Sequence, residues 1–111
     1  MEYATKQFKR CDLITVSGRV DSSTSAMFSE AIDASMNNGQ YKIVLDLSGV
    51  EFMSSAGFRA LLGGQRTCKR YNRGEIVLAS VPDRVKEALD LAGFTALFKL
   101  FDDETSAVGF F

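Results

Sequence analysis

The stretch that decides the fold is Val44 to Leu62, VLDLSGVEFMSSAGFRALL. It opens inside Ile43-Val44-Leu45-Asp46-Leu47, the most apolar run of the chain, as expected for a central strand covered on both faces. The strand runs out through Asp46, Ser48 and Gly49, and the apolar pair Phe52 and Met53 is expected to anchor the loop that follows. Ser54 or Ser55 can cap a helix at this point, because a serine oxygen accepts from an amide that the first helical turn leaves unpaired. Phe58, Leu61, Leu62 and Cys68 predict the inner face of that helix. Gly63 and Gly64 lie within it, each costing up to about 1 kcal/mol relative to alanine, so close packing against a neighbour is expected there. Asn72-Arg73-Gly74 is read as its end.

Working outward, periods of two and of about 3.6 alternate along the chain. Upstream, Tyr3, Thr5 and Phe8 suggest a polar edge strand. Lys9 to Asp12 reads as a turn into the β-branched run Leu13 to Ser17, which Gly18 ends or bulges. Asp21-Ser22-Ser23 offers capping oxygens to a helix whose buried face carries Phe28, Ala31 and Ile32, and Asn37-Asn38-Gly39 stops it. Downstream, Glu75 to Ala79 is a further strand. Pro82 suits the first turn of a helix carrying Val85, Ala88, Leu89 and Ala92, and Gly93 suits its end. Leu97 to Phe101 is read as the last strand, and Asp103 opens a short terminal helix. The order is ββαβαβαβα. Strand–helix–strand crossovers give parallel neighbours and the opening hairpin an antiparallel edge, so the prediction is an α/β fold, a mixed sheet with packed helices, in one domain over residues 1–111.

Composition narrows the function. The 111 residues are 46% hydrophobic and 24% charged, ordinary globular values. A formal net charge of −1 gives no overall pull toward nucleic acid or an anionic membrane. Cys11 and Cys68 are far apart and form no CxxC pair, so neither a zinc site nor a redox dithiol is indicated, and two free thiols are expected. Histidine is absent, which removes the usual general base and the commonest transition-metal ligand. The sequence SSAG is not the G-x-S-x-G nucleophile elbow, and there is no Walker motif or G-x-G-x-x-G. A non-enzymatic role without a cofactor is expected. The polar start MEYATKQFKR is not a secretory signal, and no apolar run nears the roughly 18 residues of a membrane span, so a cytoplasmic protein without membrane insertion is expected.

The central stretch resembles the strand–loop–helix core of STAS domains in anti-sigma factor antagonists. The matching residues are Leu45-Asp46-Leu47-Ser48, Val50, Phe52-Met53, Ser55 and Gly57. Gly18-Arg19-Val20-Asp21 matches a second landmark of that family, at the start of the first helix, as does the Pro-containing helix ending in Gly93-Phe94. The resemblance implies the STAS fold over nearly the whole chain. It also implies a phosphoacceptor at the serine directly after the motif's aspartate. Alignment on Gly57 makes that Ser55, with Ser54 as the lesser candidate; Ser54 itself stands at the aspartate position and Ala56 where serine or threonine is common. The implied partners are an anti-sigma factor that is also a serine kinase, and a Ser/Thr phosphatase that resets the switch, with no direct nucleic-acid contact.

Asp21, Ser22, Ser23, Ser54, Ser55, Gly57 and Arg59 are the expected partner-binding residues, the two helix starts sharing one edge of the sheet. Simple capping is the competing role for the serines. Arg59, Arg66, Arg70 and Arg73 fall near one stripe, either a solvated face or a surface for an acidic partner or, weakly, nucleic acid. Other STAS domains scaffold signalling assemblies or serve transporters as soluble subunits, and the helix starts would equally hold a small anion. Phe110 and Phe111 are expected on the core or on a second subunit.

Overall fold

The computed structural model describes residues Met1–Phe111, and its elements follow the predicted order. They are β1 (Glu2–Gln7), β2 (Asp12–Val20), α1 (Ser25–Asn37), β3 (Lys42–Met53), α2 (Ser55–Lys69), β4 (Glu75–Ala79), α3 (Asp83–Leu91), β5 (Leu100–Phe101) and α4 (Glu104–Phe110). The strands lie side by side in chain order. β1 is antiparallel to β2, and β2 through β5 are parallel.

That order dictates the layers. Three right-handed crossovers stepping in one direction leave α1, α2 and α3 on the same face of the sheet. There Phe28, Ile32, Phe58, Leu61, Cys68, Val85 and Leu89 pack on Ile14, Val16, Ile43, Leu45, Leu47, Ile76 and Leu78 in the main core. The opposite face is covered by α4, whose Ala107 packs with Cys11, Leu13, Val44, Val77 and Ala79. β3 therefore sends Ile43, Leu45 and Leu47 to one layer and Val44 to the other, which is why the run is apolar at both alternations, with buried Asp46 its one polar residue.

Several expectations change. β3 does not give way to a loop after Leu47 but stays paired with β2 as far as Met53, through register shifts beside Ser17 and Gly18. Gly18, at φ 91°, supplies the left-handed backbone of this bulge. Met53 is buried, but Phe52 points outward. The last strand shrinks to Leu100–Phe101, because Thr95–Leu97 forms a 3-10 turn and the Leu97 carbonyl accepts from Gln65 Nε2 at 2.8 Å. The arginine stripe loses two members: Arg70 lies past the end of α2, and Arg73 folds back to stack 3.8 Å over the Tyr41 ring and to donate to the Thr67 carbonyl at 2.8 Å.

Gly64 meets the expectation of close packing, since an added Cβ would stand 3.0 Å from both Ile32 Cγ2 and Ile76 Cδ1; Gly63 does not, with nothing within 4 Å. Both cysteines are free and buried. Phe110 and Phe111 pack on this chain's own residues, Phe110 5.5 Å from the Phe101 ring and Phe111 5.1 Å from Phe110. No helix is long and apolar enough to cross a membrane.

Candidate functional site

The two helix starts singled out in the sequence meet at one edge of the sheet. Val20, the last residue of β2, pairs with Met53, the last of β3, and the Ser54 amide donates to the Val20 carbonyl at 2.8 Å. The chain thus turns into α1 and α2 from adjacent points, at the carboxyl ends of two parallel strands.

On the α1 side, Asp21 organises the turn. Its Oδ1 accepts from the Ser23 amide at 3.0 Å and from the Ser23 hydroxyl at 2.7 Å. Its amide donates to Thr24 Oγ1 at 2.9 Å, and that hydroxyl donates to the Arg19 carbonyl at 2.9 Å. The helix N-cap is Thr24, not one of the expected trio, and its side chain makes no capping bond. Asp21 acts one step earlier, closing the turn that delivers the chain to the helix. The Ser23 hydroxyl and amide, then the Thr24 hydroxyl and Arg19, hold its carboxyl below the ordinary range. Ser22 and Ser23 are exposed.

On the α2 side, Ser54 is the N-cap and Ser55 the first helical residue. Ser54 keeps its Oγ buried and without a hydrogen-bond partner, so it does not cap the helix. Ser55 is exposed, and the first turn of α2 carries no acidic residue. The positive end of α2 is therefore neither capped nor neutralised by its own side chains. A phosphate on Ser55 would meet a favourable local field there.

Gly57 is buried, so it offers a partner no surface; its part is to let α2 dock. A Cβ at this position would lie 2.7 Å from Met53 Cγ, 2.9 Å from Val20 Cγ1 and 3.2 Å from the Val20 carbonyl oxygen. Arg59, one turn after Ser55, is exposed and makes no ion pair. With Ser29, Asp33, Gly63 and Thr67 it lines a groove of about 310 Å³ between α1 and α2.

The structure adds two residues that the sequence did not suggest. Arg19 and Phe52 stand opposite each other in the β2–β3 register, with the guanidinium 4.6 Å from the ring centre and 3.8 Å from Asp21 Oδ2. Phe52 is exposed at 38%, high for a large aromatic, and forms an apolar surface at this end of the sheet. No group of three or more Cys, Asp or Glu side chains is close enough to hold a metal ion.

The chain is similar to known proteins over most of its length. The anti-sigma F factor antagonist of Paenibacillus polymyxa is 29% identical over 97 residues, 86% of this chain and 82% of that protein. BtrV of Bordetella bronchiseptica is 28% identical over 94 residues, 85% and 80% of the two chains. A crystal structure from Thermotoga maritima superposes with a TM-score of 0.89 at 20% identity, over 96% of this chain and 92% of that one. The family model of the STAS domain matches residues 2–107, and the chain belongs to that family.

Proposed function

We propose that this domain is an anti-sigma factor antagonist that works as a phosphorylation-controlled partner switch in the cytoplasm. In its unphosphorylated form it binds an anti-sigma factor of the serine-kinase type through the edge formed by Asp21, Ser22, Ser23, Ser54, Ser55 and Arg59, and so frees a sigma factor. Phosphate on Ser55 ends that complex, and a Ser/Thr phosphatase restores it. The observation that carries the reading is an exposed serine on an acid-free, uncapped helix start that is tied to the neighbouring helix start by a 2.8 Å backbone bond.

The physics of the switch is local. A phosphoserine adds roughly −1.5 to −2 charges, which the α2 dipole accommodates without unfolding the domain. The same charge on a surface that a partner must desolvate opposes association. The fold stays while the interface changes. The ATP and the catalysis belong to the kinase, and no cofactor is assigned to this chain. The test is incubation with ATP and the cognate kinase, followed by mass-spectrometric mapping of wild type and Ser55→Ala. Phosphate on wild type that is lost in Ser55→Ala supports the switch; absence of transfer overturns it and favours a scaffolding role.

A further inference from the structure

β1 is a regular six-residue edge strand, every residue of which is exposed, and it carries no proline and no break in its pairing with β2. An edge of this kind presents a row of unpaired backbone groups to any strand that can match it. The other edge of the sheet offers no such template, since β5 has only two residues.

Which groups face outward follows from the hairpin. The Phe8 amide donates to the Cys11 carbonyl at 2.8 Å, and the register pairs Gln7 with Asp12. Hydrogen-bonded pairs alternate along an antiparallel ladder, so Lys6, Ala4 and Glu2 bond to Leu13, Thr15 and Ser17. The amides and carbonyls of Tyr3 and Thr5 therefore point away from β2.

A second copy laid antiparallel on this edge, with the two-fold axis at Ala4, satisfies those groups by pairing Tyr3 with Thr5 of the second copy and the reverse. On one face an aromatic residue then sits beside a β-branched one, a favourable cross-strand pair. On the other face Glu2 falls opposite Lys6 of the second copy, twice by symmetry, with the two Ala4 methyls between them. Moving the axis to Tyr3 places Glu2 against Ala4, and moving it to Thr5 places Lys6 against Ala4, so neither register joins opposite charges. The Ala4 register alone makes the sequence Glu2-Tyr3-Ala4-Thr5-Lys6 complementary to itself.

We propose that the free edge of β1 is a homodimer interface, on which a second copy of this chain adds antiparallel about Ala4 and joins the two sheets into one. This assembly does not depend on the switching described above, because Ser55 lies at the start of α2 rather than along β1. The test is sedimentation velocity on the whole domain over a series from low micromolar to near-millimolar concentration. Wild type is expected to shift from monomer to dimer. Lys6→Glu sets Glu2 against a like charge and should raise the dimer dissociation constant at least about tenfold. Glu2→Lys combined with Lys6→Glu restores opposite charges and should recover dimerisation. Thr5→Pro removes an outward amide, leaves the β1–β2 bonds intact and should abolish the dimer, with the thermal unfolding curve as the check on folding. Wild type that stays monomeric throughout, or a dimer unchanged by Lys6→Glu or by Thr5→Pro, overturns the proposal.

Discussion

Three glycines in α2 permit one substitution to be tested in three environments, with outcomes of different sign. Replacing a helical glycine by alanine should stabilise by about 1 kcal/mol when nothing is in the way. Gly63 meets that condition, with no atom within 4 Å of an added Cβ. At Gly57 the methyl would stand 2.7 Å from Met53 Cγ, 2.9 Å from Val20 Cγ1 and 3.2 Å from the Val20 carbonyl oxygen. The unbranched Met53 side chain can change rotamer, at a cost because it is buried. Val20 cannot, because it is β-branched and fully buried, and its carbonyl accepts from the Ser54 amide. Overpacking of this kind costs about 1–3 kcal/mol and outweighs the gain in helix propensity. Gly57→Ala should therefore lose about 1 kcal/mol net, Gly63→Ala should gain about 1 kcal/mol, and Gly64→Ala, whose methyl would stand 3.0 Å from Ile32 Cγ2 and Ile76 Cδ1 with no closer contact, should fall between them. Urea unfolding reads the Gly57 and Gly63 changes as opposite midpoint shifts of roughly 0.3–1 M. If Gly57→Ala stabilises as much as Gly63→Ala does, the close approach of α2 to the end of β2 is wrong, and the shared edge built on it fails.

Other expectations follow from single groups. Gln65 is buried and bonds through its amide to the carbonyls of Ile76 and Leu97 and to the Ile76 amide. Gln65→Leu leaves those groups unpaired and should cost about 2–4 kcal/mol in denaturant unfolding. Asp21 has a lowered pKa in the folded chain, so its contribution is present above the unfolded value of about 3.9 and is lost as pH falls through the folded one. The difference in melting temperature between wild type and Asp21→Ala should thus be open near neutral pH and close in strong acid. Burial pushes the Cys68 thiol up from 9.0 to about 11, so the unfolded chain ionises first and stability falls as pH rises across that window. Wild type should lose about 2–3 kcal/mol there that Cys68→Ala does not, and native Cys68 should resist thiol reagents.

The element order, the apolar helix faces and the approximate position of the helix starts were legible because they depend on spacing within one segment, whereas the capping expected of Asp21 to Ser23 and of Ser54 did not form. What escaped depends on residues that only the sheet brings together. Gln65 lies on the same stripe as Phe58, Leu61 and Cys68, but a polar residue in an apolar pattern gives no sign of partners 11 and 32 positions away. The continuation of β3 was hidden by Ser48, Gly49 and Glu51, which look like loop residues until β2 pairs with them across a bulge. Arg19 and Phe52 become neighbours only through that same register. Arg73 fitted the arginine stripe by spacing alone, and the chain leaves helical geometry at Tyr71 and Asn72, at φ 61° and 56°, before reaching it.

The central claim is that charge on Ser55 dissociates a partner while leaving the fold intact. Calorimetric titration of the cognate anti-sigma factor with the unphosphorylated and the Ser55-phosphorylated domain tests it most directly. Binding at least about tenfold weaker is expected for the phosphorylated form, a difference of about 1.4 kcal/mol or more, with no loss in the domain's own melting temperature. Equal affinity for the two forms would contradict it.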